Sequence, residues 1–271
     1  MESRVTLTPR FSPRMPERVL IGPHDVPSLF LAPDAPGRFP AVVMQHGLGS
    51  QKDDLLPAAL MLAAFGFVAL LPDAWGHGEH PQRNEVDMGA SPTDYVVEVT
   101  RETTRTLHAA VAFLEERPEV RKDAIVLGGF SLGAMASLIA GIESPRAAGV
   151  VSIAGSPLPD LVCEGATAWA MPSDAARHWA QRHDAAAQVG RLAPRPLLIS
   201  HGRQDDMVPV AGALRLYESA QPYYASHPER LALMLYDHTH TVTAEQLNDV
   251  IQWMAPLYLD GESSLRDEAA S

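Results

Sequence analysis

The chain has 271 residues, 46% of them hydrophobic and 20% charged, with a formal net charge of −12. This composition excludes an intrinsically disordered chain and suffices for one sizeable core. The acidic balance argues against nucleic acid or an anionic membrane surface as the main partner, and a lone cysteine, Cys163, excludes an intrachain disulfide. The opening residues MESRVTLTPRFSPRMPERV lack the apolar stretch of a secretory signal, and no run reaches the length of a membrane span. A cytoplasmic protein of one domain spanning 1–271 is expected, with edge strands near its start (1–20) and a frayed tail over 260–271.

Taken in chain order, RVTLT, ERVLI and SLFLAP read as edge strands with room for antiparallel pairing. PAVVMQHG follows as an almost unbroken apolar run, the pattern of a strand buried on both faces of a parallel sheet. A helix is expected near 54–65, closed by Gly66, and then a strand at FVALLPDA. Over 98–116, Thr100, Thr104, Leu107, Val111 and Leu114 share one helical face, and Pro118 ends the pattern. Strands are expected at AIVLGGFS, GVVSIAG, PLLISHG and LALMLYD. In TAEQLNDVIQWM, Thr243 and Gln246 have capping-box spacing, ahead of an apolar stripe of Leu247, Val250, Ile251 and Met254. Strands alternating with helices predict an α/β layer fold with a mostly parallel sheet of about eight strands, and functional groups at the carboxyl ends of those strands.

One junction carries a specific signal. Gly129-Phe130-Ser131-Leu132-Gly133 fits G-x-S-x-G, the turn that lifts a serine to the top of a sheet between strand and helix. The turn is so tight that side chains two residues either side would strike neighbouring backbone, hence the glycines. A serine hydroxyl is a weak nucleophile and needs a base, which in turn needs an orienting acid. For this turn the chain order is serine, acid, histidine. Downstream, LLISHGRQDDMVPV offers Asp205 and Asp206, and LMLYDHTHTVTAEQ offers His238 and His240.

With these segments assembled, the sequence resembles the α/β-hydrolases over about residues 38–258, on the branch of dienelactone-hydrolase-like and prolyl-oligopeptidase-like serine esterases. HGLGSQKDDL is similar to the family's oxyanion loop, LLPDAWGHGEH to the strand and loop after it, GFSLG to the elbow and HGRQDDMVP to the acid segment. The family's spacing of that acid segment selects Asp205, leaving Asp206 as a solvated neighbour. Aligning EQLNDVIQW with the family's last helix puts the base at His240. The usual glycines before it are replaced by Asp237-His238-Thr239, which keeps His238 as a competitor. The resemblance implies an oxyanion hole from the N–H groups of Leu132 and Leu48. A dienelactone hydrolase proper would usually carry cysteine where Ser131 stands, and peptidases of this branch usually follow the elbow with Gly-Gly rather than Gly-Ala.

The implied activity is hydrolysis of small carboxylic esters of short to medium acyl chain, without cofactor or metal. Thioester, peptide or deacetylation chemistry on the same machinery is the alternative, and a binding protein on this fold is the third reading. Asp73 and His77 are read as organisers of their loop, and the histidines lack dedicated metal-ligand spacing. The segment 155–190, with Trp169 and Trp179, is a candidate cap; with Trp75 it offers an apolar substrate wall, balanced against ordinary helix packing. Oligomeric state is not legible.

Overall fold

The computed structural model describes residues 7–81, 91–162 and 172–259. Its strands are β1 (Glu17–Ile21), β2 (Val26–Leu31), β3 (Phe39–Gln45), β4 (Val68–Pro72), β5 (Val120–Phe130), β6 (Gly149–Ile153), β7 (Leu197–Gly202) and β8 (Leu231–Tyr236). They form one sheet in the order β1-β2-β4-β3-β5-β6-β7-β8. β1 and β2 pair antiparallel, β2 joins β4 antiparallel, and every other pairing is parallel. The apolar runs from β3 to β7 are buried on both faces, as their unbroken pattern predicts.

The first expected strand is not formed where it can be seen. Leu7 and Thr8 of RVTLT are irregular, and residues 4–6 lie outside the described residues. The backbone of Leu7 finds its partners on a side chain instead: its N–H donates to Gln252 Oε1 (2.9 Å) and its carbonyl accepts from Gln252 Nε2 (2.9 Å). One amide supplies both groups that a neighbouring strand would offer.

The helices that bear on the site are α1 (Leu56–Phe65), α2 (Pro92–Glu116), α3 (Leu132–Glu143), α4 (Leu158–Val162), α5 (Asp174–Arg182), α6 (Ala185–Gln188), α7 (Val210–Ala220) and α8 (Ala244–Tyr258). α1 ends on Gly66 at φ 102°, a left-handed cap that glycine adopts without strain. α2 starts six residues before the expected 98, because Ser91 caps it and Pro92 takes its first position. Its threonines turn inward by bonding their own helix: Thr100 Oγ1 donates to the Val96 carbonyl and Thr104 Oγ1 to that of Thr100. α8 carries the expected capping box between Thr243 and Gln246.

The helices divide between the two faces of the sheet. Leu62 and Phe65 of α1 and Val250, Ile251 and Met254 of α8 cover the Val42, Val126 and Val151 face. Leu107, Val111 and Leu114 of α2, with Ala136 and Ala140 of α3, cover Val43, Leu70 and Leu127 on the other. Within 155–190, Ala176 and Ala180 of α5 and Leu158 of α4 pack on Val96 and Val97 of α2 and Met135 and Ile139 of α3. Arg215 of α7 ties this region down by bonding Asp160 and Asp184. Cys163, Trp169 and the 260–271 tail lie outside the described residues. No helix among the described residues is long and apolar enough to cross a membrane.

Candidate active site

β5 runs into α3 through Ser131, which sits at φ 56°, ψ −119°. A non-glycine residue at positive φ is strained and persists only where its surroundings over-determine it. Here they do. The Ser131 N–H donates to the Ile153 carbonyl of β6 (2.9 Å), and the Ser131 carbonyl accepts from Ala134 N–H (3.0 Å) and Met135 N–H (3.1 Å). The flanking glycines are sterically required: a Cβ on Gly129 would overlap the Gly133 carbonyl group, and one on Gly133 would overlap the Gln45 carbonyl.

His240 lies between Ser131 and Asp205. Its Nε2 is 2.9 Å from Ser131 Oγ and its Nδ1 is 2.7 Å from Asp205 Oδ2. A carboxylate accepts only, so the ring proton belongs on Nδ1 and Nε2 is left to accept the serine hydroxyl. The second oxygen of Asp205 accepts from Val208 N–H (2.8 Å) and Met207 N–H (3.1 Å). Burial alone would raise this carboxyl. The contacts from His201, His240 and the Val208 N–H outweigh it and hold Asp205 well below the ordinary aspartate value. His240 is backed by the Phe130 ring, 4.8 Å away between centroids.

The competing residues are elsewhere. Asp206 is exposed. His238 turns its Nδ1 to the Thr239 carbonyl (2.8 Å) and stacks on Tyr236.

The loop after β3 closes on the serine. A Cβ on Gly47 would lie 3.3 Å from Ser131 Cβ, so only a bare backbone fits comfortably there. Leu48 follows it and is 40% exposed; Leu132 opens α3 directly after Ser131. His46 holds the loop from beneath. Its Nε2 accepts from Ala74 N–H (2.9 Å), which leaves Nδ1 to donate to the Gly47 carbonyl (2.8 Å). Burial lowers its pKa, consistent with a neutral ring.

Asp73, fully buried, is a second anchor: it accepts from Lys52 N–H (2.9 Å), Lys52 Nζ (2.9 Å) and Glu79 N–H (2.8 Å). Lys52 is 1% exposed and also reaches Glu79 (2.7 Å). Burial disfavours its charge, but the hydrogen bonds from Glu79 and Asp73 prevail and raise its pKa. His77 bonds the Trp75 carbonyl through Nδ1 (2.8 Å). Asp73 and His77 therefore organise the loop, as their segment suggested. Sequence reasoning missed Lys52, because nothing local distinguishes it from a solvated loop lysine. It also missed His201, although an (i, i+4) pairing with Asp205 was legible.

A cavity of about 400 Å³ opens beside His240 and Gly47 and runs between α1, α8 and the ends of β3, β5 and β6. Of the three tryptophans offered as a substrate wall, Trp169 lies outside the described residues. Trp75 and Trp179 do not line this space; both pack on the apolar cluster of Val97, Leu132 and Met135, and Trp179 stacks on His183 at 4.1 Å. A large apolar residue near a strand end has the same sequence signature whether it walls a pocket or seals a helix contact. Among the described residues no group of three or more His, Cys, Asp or Glu side chains is arranged to hold a metal ion.

A mostly parallel eight-stranded sheet with antiparallel leading strands, carrying a strained serine on the turn after β5, defines an α/β-hydrolase. The chain belongs to the dienelactone hydrolase family, whose model matches residues 26–246. It is similar to "Putative esterase YitV" of Bacillus subtilis (strain 168), 26% identical over 227 residues, covering 79% of this chain and 88% of that one. It is also similar to "Esterase YjfP" of Escherichia coli (strain K12), 28% identical over 211 residues, covering 72% and 81%. The crystal structure of TT1662 from Thermus thermophilus superposes with a TM-score of 0.76 at 23% identity, over 89% of this chain and 97% of that one, which shows the shared fold. Family and esterase-named relatives together make this chain a hydrolase.

Proposed function

We propose that the chain is a carboxylesterase that works through an acyl-enzyme on Ser131. The observation that carries this reading is the unbroken contact from Ser131 Oγ to His240 Nε2 and from His240 Nδ1 to Asp205 Oδ2. As the serine oxygen bonds to the ester carbonyl carbon, His240 takes its proton, and Asp205 holds the tautomer and stabilises the imidazolium. The carbonyl oxygen becomes an oxyanion facing the N–H groups of Leu48 and Leu132. Its collapse breaks the bond to the leaving alcohol, which receives the proton from His240. Water then repeats the sequence, releasing the acid and restoring the serine. Each step uses only side chains and backbone of this chain. The substrate class is a small carboxylic ester.

The test is hydrolysis of p-nitrophenyl esters by the wild type and by Ser131→Ala, with His240→Gln and His238→Gln as a second pair. Ser131→Ala should lower kcat by about 10³- to 10⁶-fold. His240→Gln should follow it, while His238→Gln stays near wild type. Equal activity of the wild type and Ser131→Ala would remove the serine from the mechanism.

A further inference from the structure

The elbow explains Gly129 and Gly133 but not Gly128, the first glycine of Gly-Gly-Phe. Its φ is not positive, and a Cβ there would meet nothing nearer than the Val151 Cβ at 3.5 Å, an ordinary contact. Neither backbone geometry nor crowding demands glycine at this position. What its missing side chain leaves is space. Strand alternation sends Gly129 toward α3 and Gly128 toward α1 and α8. In the sheet Gly128 is paired with Met44 on one side and Val151 on the other, and all three line the cavity.

The cavity has a graded wall. Around its mouth are Ser50, Asp54 and Thr241, with Gly47 and His240 at the reacting end. Most of the remaining wall is apolar, with Val42, Ala58, Leu62, Ile153, Val250 and Met254, and the buried Gln45 amide is its polar exception. About 400 Å³ lies in the usual range of small-molecule sites. From Leu55, just before α1, to Leu62 within it, the wall advances seven residue steps, about 10 Å at about 1.5 Å per residue. An extended chain advances about 1.2 Å per bond, so roughly eight bonds span that depth.

We propose that this cavity is the binding site for an unbranched aliphatic chain of the substrate, about eight carbons long, and that Gly128 is the residue that keeps it open. The inference rests on the esterase reading for its position beside the reacting carbonyl, but the cavity is testable without it. The chain enters past Gly47 and the Phe130–His240 contact and runs along a mainly apolar wall, with the buried Gln45 and His46 near the end of the strand that leads to it. The same pocket chemistry suits the acyl chain or the alcohol chain of an ester.

Two ester series separate these sources: p-nitrophenyl acetate to dodecanoate, and methyl to dodecyl acetate. In one of them kcat/KM should rise by about fourfold per added methylene, up to about eight carbons, and then level or fall. The series that rises identifies which half of the ester occupies the cavity. Gly128→Val fills the floor and should cut the preference for the eight-carbon over the shortest chain of that series by at least tenfold; Met254→Ala should move the optimum to longer chains. Calorimetric titration of Ser131→Ala with octanoate and with acetate reads the pocket without turnover. Octanoate should bind at least about a hundredfold more tightly. Short esters hydrolysed with no length dependence in either series, and octanoate no tighter than acetate, would overturn the pocket and leave the esterase reading standing. Absence of ester hydrolysis with tight octanoate binding would do the reverse.

Discussion

On the α3 face of β5, a side chain at Gly129 would overlap the backbone of Gly133; on the α1 and α8 face, a Cβ at Gly128 would make only ordinary contacts with Val151 and Val42, beside the cavity. The two faces of one strand end are built to different tolerances. The first presses backbone against backbone, because Ser131 must be held at a conformation it would not adopt alone. The second borders a void among Val42, Val151 and Met254, where volume rather than angle matters. Steric strain positions Ser131, and an unfilled core nearby leaves the room that the proposed ester chain would take.

That contrast can be sharpened by mutation, and the largest effect on stability is expected in the buried ion pair just before α1. Lys52 leads into α1 and is bonded to the buried Asp73. Lys52→Met would strand the Asp73 charge, which costs about 3–5 kcal/mol when a buried pair loses one partner. Urea unfolding measures it. Next comes the tight face. Gly133→Ala drives a methyl into the Gln45 carbonyl. It should cost about 1–3 kcal/mol in the same assay and lower kcat/KM about 10²-fold, as small displacements of a nucleophile do. Gly128→Ala sharpens the comparison from the other side. Its methyl meets only ordinary contacts, so stability should change by less than about 1 kcal/mol while chain-length preference shortens.

The smallest effect is in acid. At the end of α3, hydrogen bonds from His108 and His183 draw Glu143 down to about 2. A carboxylate with a folded pKa below its unfolded value of about 4.3 stabilises the fold above that value. The contribution fades as pH falls toward the folded value. Unfolding free energy should therefore drop between about pH 5 and pH 2, less steeply in Glu143→Gln. Asp205, also held low, adds to the fall in the same direction.

Much of this was legible along the chain. The eight strands of the sheet stand where aliphatic runs predicted them, most clearly the central ones, because strands buried on both faces cannot disguise their composition. RVTLT shows the limit: its alternation is strand-like, yet over its described part a glutamine amide replaces the strand partner. Helix α2 shows another, since Ser91 and Pro92 were adequate start signals that the threonine stripe beginning at Thr100 overshadowed. Trp75 and Trp179 were readable as large and apolar, but not as packing against α2 and α3.

By itself the sequence determined the layer order of the fold, the elbow around Ser131 and a short set of acids and bases in the right chain order. These are local signals, set by periodicity, by backbone sterics at glycine and by fixed spacing. Only the tertiary structure decided that His240 rather than His238 faces Ser131, that Lys52 is buried against Asp73, and that a cavity lies between α1 and α8, away from Trp75 and Trp179. Those outcomes depend on distances between residues far apart in the chain. A cavity in particular is made by side chains that are absent, and an absence leaves no pattern in a sequence until its neighbours are in place.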